Sequence, residues 1–156
     1  MNRDYISKEV AAIIEDKNFE APLNLAMASA WVMGNFKGLN LKVLDLRKVS
    51  GIADYFVIGS ASNPTQAGAM AEEISHQMRV NGVEALSREG LKTNTDWILL
   101  VYGDFIVHVF HEPSRTIYDL EHLYKNAVSV EIPESYYFST PESASRGNDD
   151  GGRNYF

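Results

Sequence analysis

Residues 96–124 read DWILLVYGDFIVHVFHEPSRTIYDLEHLY, and the first half of that stretch decides the fold. Two apolar runs, WILLVY and FIVHVF, are separated only by Gly103-Asp104. A Gly-Asp pair between β-rich runs predicts a tight hairpin, because glycine takes the positive φ that the turn requires. A helix is expected directly after it, capped by Ser114 and running to about Ala127. No nucleophile motif, phosphate loop or metal cluster sits in this most structured part of the sequence. It reads as a surface to be recognised more than as a pocket for chemistry.

Working toward the N-terminus, Ser62-Asn63-Pro64 opens a helix to about Val80, which Asn81-Gly82 closes. Tyr55–Gly59 is a short continuous apolar run, as in a central strand. Leu41–Val49 alternates apolar and charged residues, which predicts a half-buried strand, and Val83–Leu86 is a further strand before the loop SREGLKTNT. LNLAMASAWVMGNFKG, Leu23–Gly38, is a helix whose expected left-handed terminator is Gly38. Ile6, Val10, Ile13 and Ile14 give Asp4–Lys17 helical spacing, and Ala21-Pro22 interrupts it. The order is α-α-β-β-α-β-β-β-α, an α/β (α+β) chain with a mixed sheet of about five strands and helices packed on it.

The 156 residues suit one domain with additional ends, and a hydrophobic content of 45% is enough for one core. Residues 1–22 are expected as an N-terminal helical extension, 23–130 as the domain, and 131–156 as a flexible acidic tail rich in Pro, Ser, Gly and Asp. The aromatics Tyr136-Tyr137-Phe138 and Tyr155-Phe156 are unusual in such a tail; local packing or a docking motif would explain them. No apolar run nears the roughly 18 residues that span a bilayer. The start of the chain has neither a signal-peptide nor a transit-peptide pattern, and without Cys there is no disulfide or thiolate metal site. A cytoplasmic protein without membrane contact is expected.

Net charge is −7, of which residues 1–22 hold −2 (five acids, three bases) and residues 128–156 hold −3 (five acids, two bases). The remaining −2 leaves the central part close to neutral, without a Lys/Arg block. Little direct nucleic-acid contact is therefore expected, since phosphate-backbone binding draws on cationic side chains. A basic protein partner remains compatible with the charge.

Three constellations could carry chemistry. His108 and His111, with His122, Glu112 and Glu121 nearby, are of metal-ligand type, but a strand sends His108 and His111 to opposite faces. Buried or solvated histidines are the simpler expectation, with no cofactor. Gly59-Ser60 lies at a strand-to-helix junction like the one nucleotidyltransferases use to hold phosphate. Those enzymes also need paired carboxylates on the next strand for two metal ions, and VEAL offers only Glu84. Asp54, Asp96, Asp104 and Arg115 could do acid–base work if they converged, yet turn and capping roles explain each carboxylate, and Arg115 suits a structural ion pair.

On the first hairpin strand, Trp97, Leu99 and Val101 share one face, and Ile98, Leu100 and Tyr102 the other. Both faces are apolar, so the strand is either sandwiched between layers or leaves one face open to a protein partner.

SGIADYFVIGSAS (Ser50–Ser62), the Glu89-Gly90 pair, and DWILLVYGDFIVHVF leading into SRTIYDLEHLY resemble the ribosomal silencing factor family, also called Iojap, over about residues 23–127. The resemblance implies a nucleotidyltransferase-like topology without catalytic residues. It implies a non-enzymatic translation repressor that binds the large ribosomal subunit through ribosomal protein L-fourteen and sterically blocks subunit joining. Several members are homodimers when free. By position, Trp97 and Tyr102 match the motif whose strand faces the ribosomal partner; Leu99, Val101, Asp104 and His108 complete the expected partner-binding set. Asp54 and Tyr55 match the family's Asp-Tyr pair. With Gly103, Phe110 and Arg115 they form the expected structural motif. Val101 stands where many members have Asp, and Tyr124 where many have Trp. A nucleotide-binding enzyme and an interaction module for some other protein are the rival readings.

Overall fold

The computed structural model describes residues 3–91 and 96–137. In chain order the elements are α1 (Arg3–Ile14), α2 (Leu23–Asn35), β1 (Leu39–Asp45), β2 (Tyr55–Ala61), α3 (Pro64–Val80), β3 (Ser87–Glu89), β4 (Trp97–Val101), β5 (Phe105–His111), α4 (Glu112–Tyr118), α5 (Leu120–Leu123) and β6 (Val128–Val130), then a 3-10 turn at Glu134–Tyr136. The strands form one six-stranded sheet in the order β3-β4-β5-β2-β1-β6. β2 and β5 run parallel, and the other neighbouring pairs are antiparallel. The chain is therefore α+β with a mixed sheet, and among the described residues no helix is long and apolar enough to cross a membrane.

The Gly-Asp hairpin forms as the sequence requires. Val101 stands opposite Ile106, and the Tyr102 N–H donates to the Phe105 carbonyl at 3.0 Å. Gly103 has φ 88° while Asp104 keeps a negative φ, the pattern of a two-residue turn that needs glycine first. The tip is also pinned from below: the Asp104 carbonyl accepts from the Asp54 N–H at 2.9 Å and the Tyr55 N–H at 3.3 Å.

Helix ends follow local chemistry, with two differences from the expected caps. Asn63 caps α3, accepting from the Gln66 N–H at 2.8 Å. At the end of α2 it is Lys37, with φ 64°, that turns left-handed, and the Gly38 N–H closes the motif on the Met33 carbonyl at 2.8 Å. Glycine is needed at 38 for space: a Cβ there would lie 2.8 Å from that same carbonyl. Ser114 does not cap the last helix but lies buried within its first turn, with His111 at the N-cap. That helix is interrupted at Asp119, φ 50°, which ends α4 and starts α5.

The strand expected at Val83–Leu86 lies instead at Ser87–Glu89. The chain uses residues up to Val83 to close α3, the Val83 N–H reaching the Met78 carbonyl at 2.8 Å, and only then meets β4. The sixth strand, β6, falls on residues for which the sequence predicts no element; it pairs with β1 through Val43–Val130 and Asp45–Val128.

Two apolar layers flank the sheet. On one face Val43, Val57, Val107, Val109, Leu100 and Tyr102 pack under α2 and α3, with Ile6 and Val10 of α1 in the same core. On the other, Leu44, Phe56, Ile58, Ile106 and Phe110 pack under α5. The N-terminal segment is thus part of the core and not an appendage: Arg3 also pairs with buried Glu73 of α3, 2.6 Å apart. Packing continues past residue 130 as well. Tyr136 is buried against the domain, and the Tyr137 hydroxyl donates to the Leu41 carbonyl at 3.4 Å. Of the expected tail, residues 131–137 pack on the domain, and 138–156 lie outside the described residues.

Candidate functional site

The face of the sheet that carries α4 and α5 is covered unevenly. Arg115, Leu120 and Tyr124 sit over β2 and β5, where Phe56, Ile58, Ile106 and Phe110 are buried. β4 lies one strand farther out, and there Trp97, Leu99 and Val101 are only half-buried while Ile98 and Leu100 behind them are fully buried. Of the two arrangements open for this strand, the structure gives one packed face and one half-open apolar face. Tyr118, 50% exposed, borders the opening with its ring 4.9 Å from that of Trp97, and Ile117 beside it is 78% exposed.

Trp97 is held by three aromatic neighbours. Its ring stacks on Phe110 at 5.0 Å and 26°, leans on Tyr118, and donates its indole N–H to Nδ1 of His108 at 3.1 Å. His108 is 3% exposed, with the Phe56 ring edge-on at 4.4 Å, and burial pushes its pKa down from 6.5 to about 3. The imidazole is therefore neutral and acts here as an acceptor, not as an acid, base or exposed contact.

The six residues expected to meet a partner do not share one surface. Trp97, Leu99 and Val101 do. His108 lies beneath them on the same face. Tyr102 points the other way: alternation along β4 puts it with Ile98 and Leu100 against α3, 9% exposed and stacked on Phe105 at 4.8 Å. Asp104 is exposed at the hairpin tip. Val101, at the far end of the open row, adds an aliphatic side chain next to Ser87 of β3. Tyr124 is edge-on to Phe56 at 4.9 Å and contributes to the covered part of the face. The sequence does not single out Tyr118, because the left-handed break at Asp119 that ends α4 beside it leaves no periodic signal.

Arg115 is buried in α4 and makes four hydrogen bonds. Its guanidinium donates to both carboxylate oxygens of Glu121 at 2.9 and 3.0 Å, to Ser60 Oγ at 2.9 Å and to the Leu39 carbonyl at 3.3 Å. This pairing, by hydrogen bonds and charge, holds the Glu121 carboxyl below its ordinary value. Ser60 is thereby occupied inside β2, and Gly59 is there because Met33 of α2 fills the space a side chain would need. The Gly59-Ser60 pair is a packing device, and the α3 N-terminus beyond it is already capped by Asn63.

The remaining polar candidates stay apart. Asp54 and Asp104 meet through backbone only, and Asp96 lies 3.7 Å from His111, across the sheet plane from His108. Among the described residues no three His, Asp or Glu side chains are placed to hold a metal ion.

Comparison with known proteins bears on this site. The family model described as "Ribosomal silencing factor during starvation" matches residues 19–153. The chain belongs to the ribosomal silencing factor family. A Bacillus subtilis relative, "Ribosomal silencing factor RsfS", is 33% identical over 132 residues, covering 85% of this chain and 95% of the relative. "Protein Iojap, chloroplastic" from Zea mays is 32% identical over 113 residues, covering 71% of this chain and 48% of the maize protein. A crystal structure from Bacillus halodurans superposes with a TM-score of 0.59 at 30% identity, covering 70% of this chain and 96% of that one. The family regulates translation and is not one of enzymes. Its match begins after α1 and extends well past the resemblance at 23–127, taking in β6 and the 3-10 turn.

Proposed function

We propose that this protein represses translation in the cytoplasm by docking its half-open sheet face on ribosomal protein L-fourteen of the large subunit, so that the small subunit cannot join. The observation that carries this reading is the row Trp97, Leu99 and Val101, an apolar strip that the flanking helices leave only half-covered. A bound protein excludes its competitor by volume, so no turnover is needed; affinity is. Nanomolar binding corresponds to about −12 kcal/mol, which a few desolvated aromatic and aliphatic anchors supply better than a broad polar area.

The anchors here are preorganised. Trp97 is stacked and hydrogen-bonded before any partner arrives, so little side-chain freedom is lost on docking. The near-neutral centre of the chain favours a protein contact over rRNA. The same strip is available to a second copy of the chain when no ribosome is present, which sedimentation velocity of the free protein would read.

Co-sedimentation with separated subunits is the test. Pelleting with the large subunit and a fall in subunit joining are expected; pelleting with the small subunit alone, or with neither, would refute the reading.

A further inference from the structure

Trp97 and His108 are diagonal neighbours on the open face: Trp97 stands opposite Phe110 and Leu99 opposite His108 in the β4–β5 register. The indole N–H donates to Nδ1 of the imidazole at 3.1 Å. A neutral imidazole that accepts at Nδ1 carries its proton on Nε2, and that atom meets no polar partner among the described residues. The imidazole is wedged between the edge-on Phe56 ring at 4.4 Å and the near-parallel ring of Phe110 at 6.4 Å. It is therefore a fixed acceptor, and it fixes the indole in turn.

A tryptophan at an interface ordinarily offers both an apolar body and a donor. Here the donor is turned into the sheet, and the rest of the half-buried row, Leu99 and Val101, has no side-chain donor either. We propose that His108 is a positioning residue for the docking face: by drawing the Trp97 N–H inward it presents only the hydrocarbon part of the ring, and so selects a partner whose surface at that point is aliphatic. A carbonyl or carboxylate set against this strip would be desolvated without a donor, which disfavours it. The inference rests on the docking reading above and specifies the chemistry of its partner.

The test uses the full chain with 15N-labelled tryptophan and purified large subunits. Trp97→Phe keeps a ring and removes the N–H; its Kd is expected to stay within about threefold of the parent. His108→Leu removes the acceptor at similar volume; it should weaken binding about tenfold and move the Trp97 indole N–H resonance toward that of a solvent-exposed indole. His108→Asn, whose Oδ1 replaces Nδ1 as acceptor, should restore both. Trp97→Phe losing as much affinity as Trp97→Ala would overturn the inference, since the partner would then be using the N–H. An unmoved indole resonance in His108→Leu would overturn it too. If that variant fails to fold, His108→Asn and Trp97→Phe decide. Unchanged binding by Trp97→Ala would overturn the docking reading itself, whereas loss by Trp97→Ala with none by His108→Leu would overturn only the role of His108.

Discussion

Gly34, in the last turn of α2, and the backbone carbonyl of Tyr136 touch so closely that no Cβ fits between them; the Tyr136 carbonyl carbon would lie 3.0 Å from it. Residues 131–137 thus cross the helix at the one position without a side chain. Gly→Ala inside a helix ordinarily gains up to about 1 kcal/mol. Here the clash is with backbone, which cannot swing aside, so Gly34→Ala should instead destabilise by about 2 kcal/mol. In a chain ending at residue 130 the same substitution should become neutral or stabilising. Urea unfolding of the four proteins checks this, and a stabilising Gly34→Ala in the full chain would contradict the crossing.

His108 makes stability depend on pH. Its folded pKa, about 3, lies below the ordinary 6.5 because burial disfavours the charged ring. The unfolded chain therefore binds a proton that the folded chain refuses between those values. Stability is full above 6.5 and is lost as pH falls, at about 1.4 kcal/mol per pH unit. Urea midpoints at pH 7.5, 6 and 5 should show that slope in the parent and a flatter one in His108→Asn. Parallel profiles would mean that the imidazole is not buried as described.

Arg115 ties α4 and α5 to the end of β2. Arg115→Met leaves Ser60 and the Leu39 carbonyl without their donor and should cost about 2 kcal/mol or more. Lysine should not rescue it, because one ammonium cannot reproduce the fork that grips Glu121. Glu121, held below its ordinary pKa by Arg115, adds stability above the usual carboxylate range that is lost as pH falls through its lowered value. Thermal melts of Arg115→Met and Arg115→Lys through that acid range should lack this loss. A parent-like profile would contradict the role.

How much of this was legible in the chain depended on whether a feature was local. The hairpin was, because Gly103-Asp104 needs no distant contact to turn, and so was α3 between Asn63 and Gly82. β6 was not: VSV is short, and only its pairing with Val43 and Asp45 makes it a strand. Ser87–Glu89 was hidden for the opposite reason, since a short edge strand has little apolar alternation to display. At the site, alternation along β4 separated the Trp97 row from the Tyr102 row correctly, but which row faces open space depended on where α4 and α5 end. Asp119 sets that, and a left-handed residue inside an apparently continuous helix leaves no periodic signature.

A protein-on-protein contact should depend weakly on salt. The described face offers Trp97, Leu99 and Val101 but no cationic cluster, so few counterions are released. The log–log slope of large-subunit affinity against salt should stay shallower than about −2. A slope near that of a protein neutralising six phosphates would place rRNA, not protein, under the sheet.

The most direct measurement is the affinity of Trp97→Ala for purified large subunits, read beside the urea midpoint of the free variant. Because the indole is half-buried on Phe110 and Tyr118, its loss should cost the free protein about 2 kcal/mol and still leave a folded chain. Docking through this face predicts a further loss of binding of about 2 kcal/mol or more, roughly thirtyfold in Kd. A lowered midpoint with parent-like affinity of the folded fraction would contradict it: Trp97 would then serve the core alone, and the ribosome would be met by some other surface.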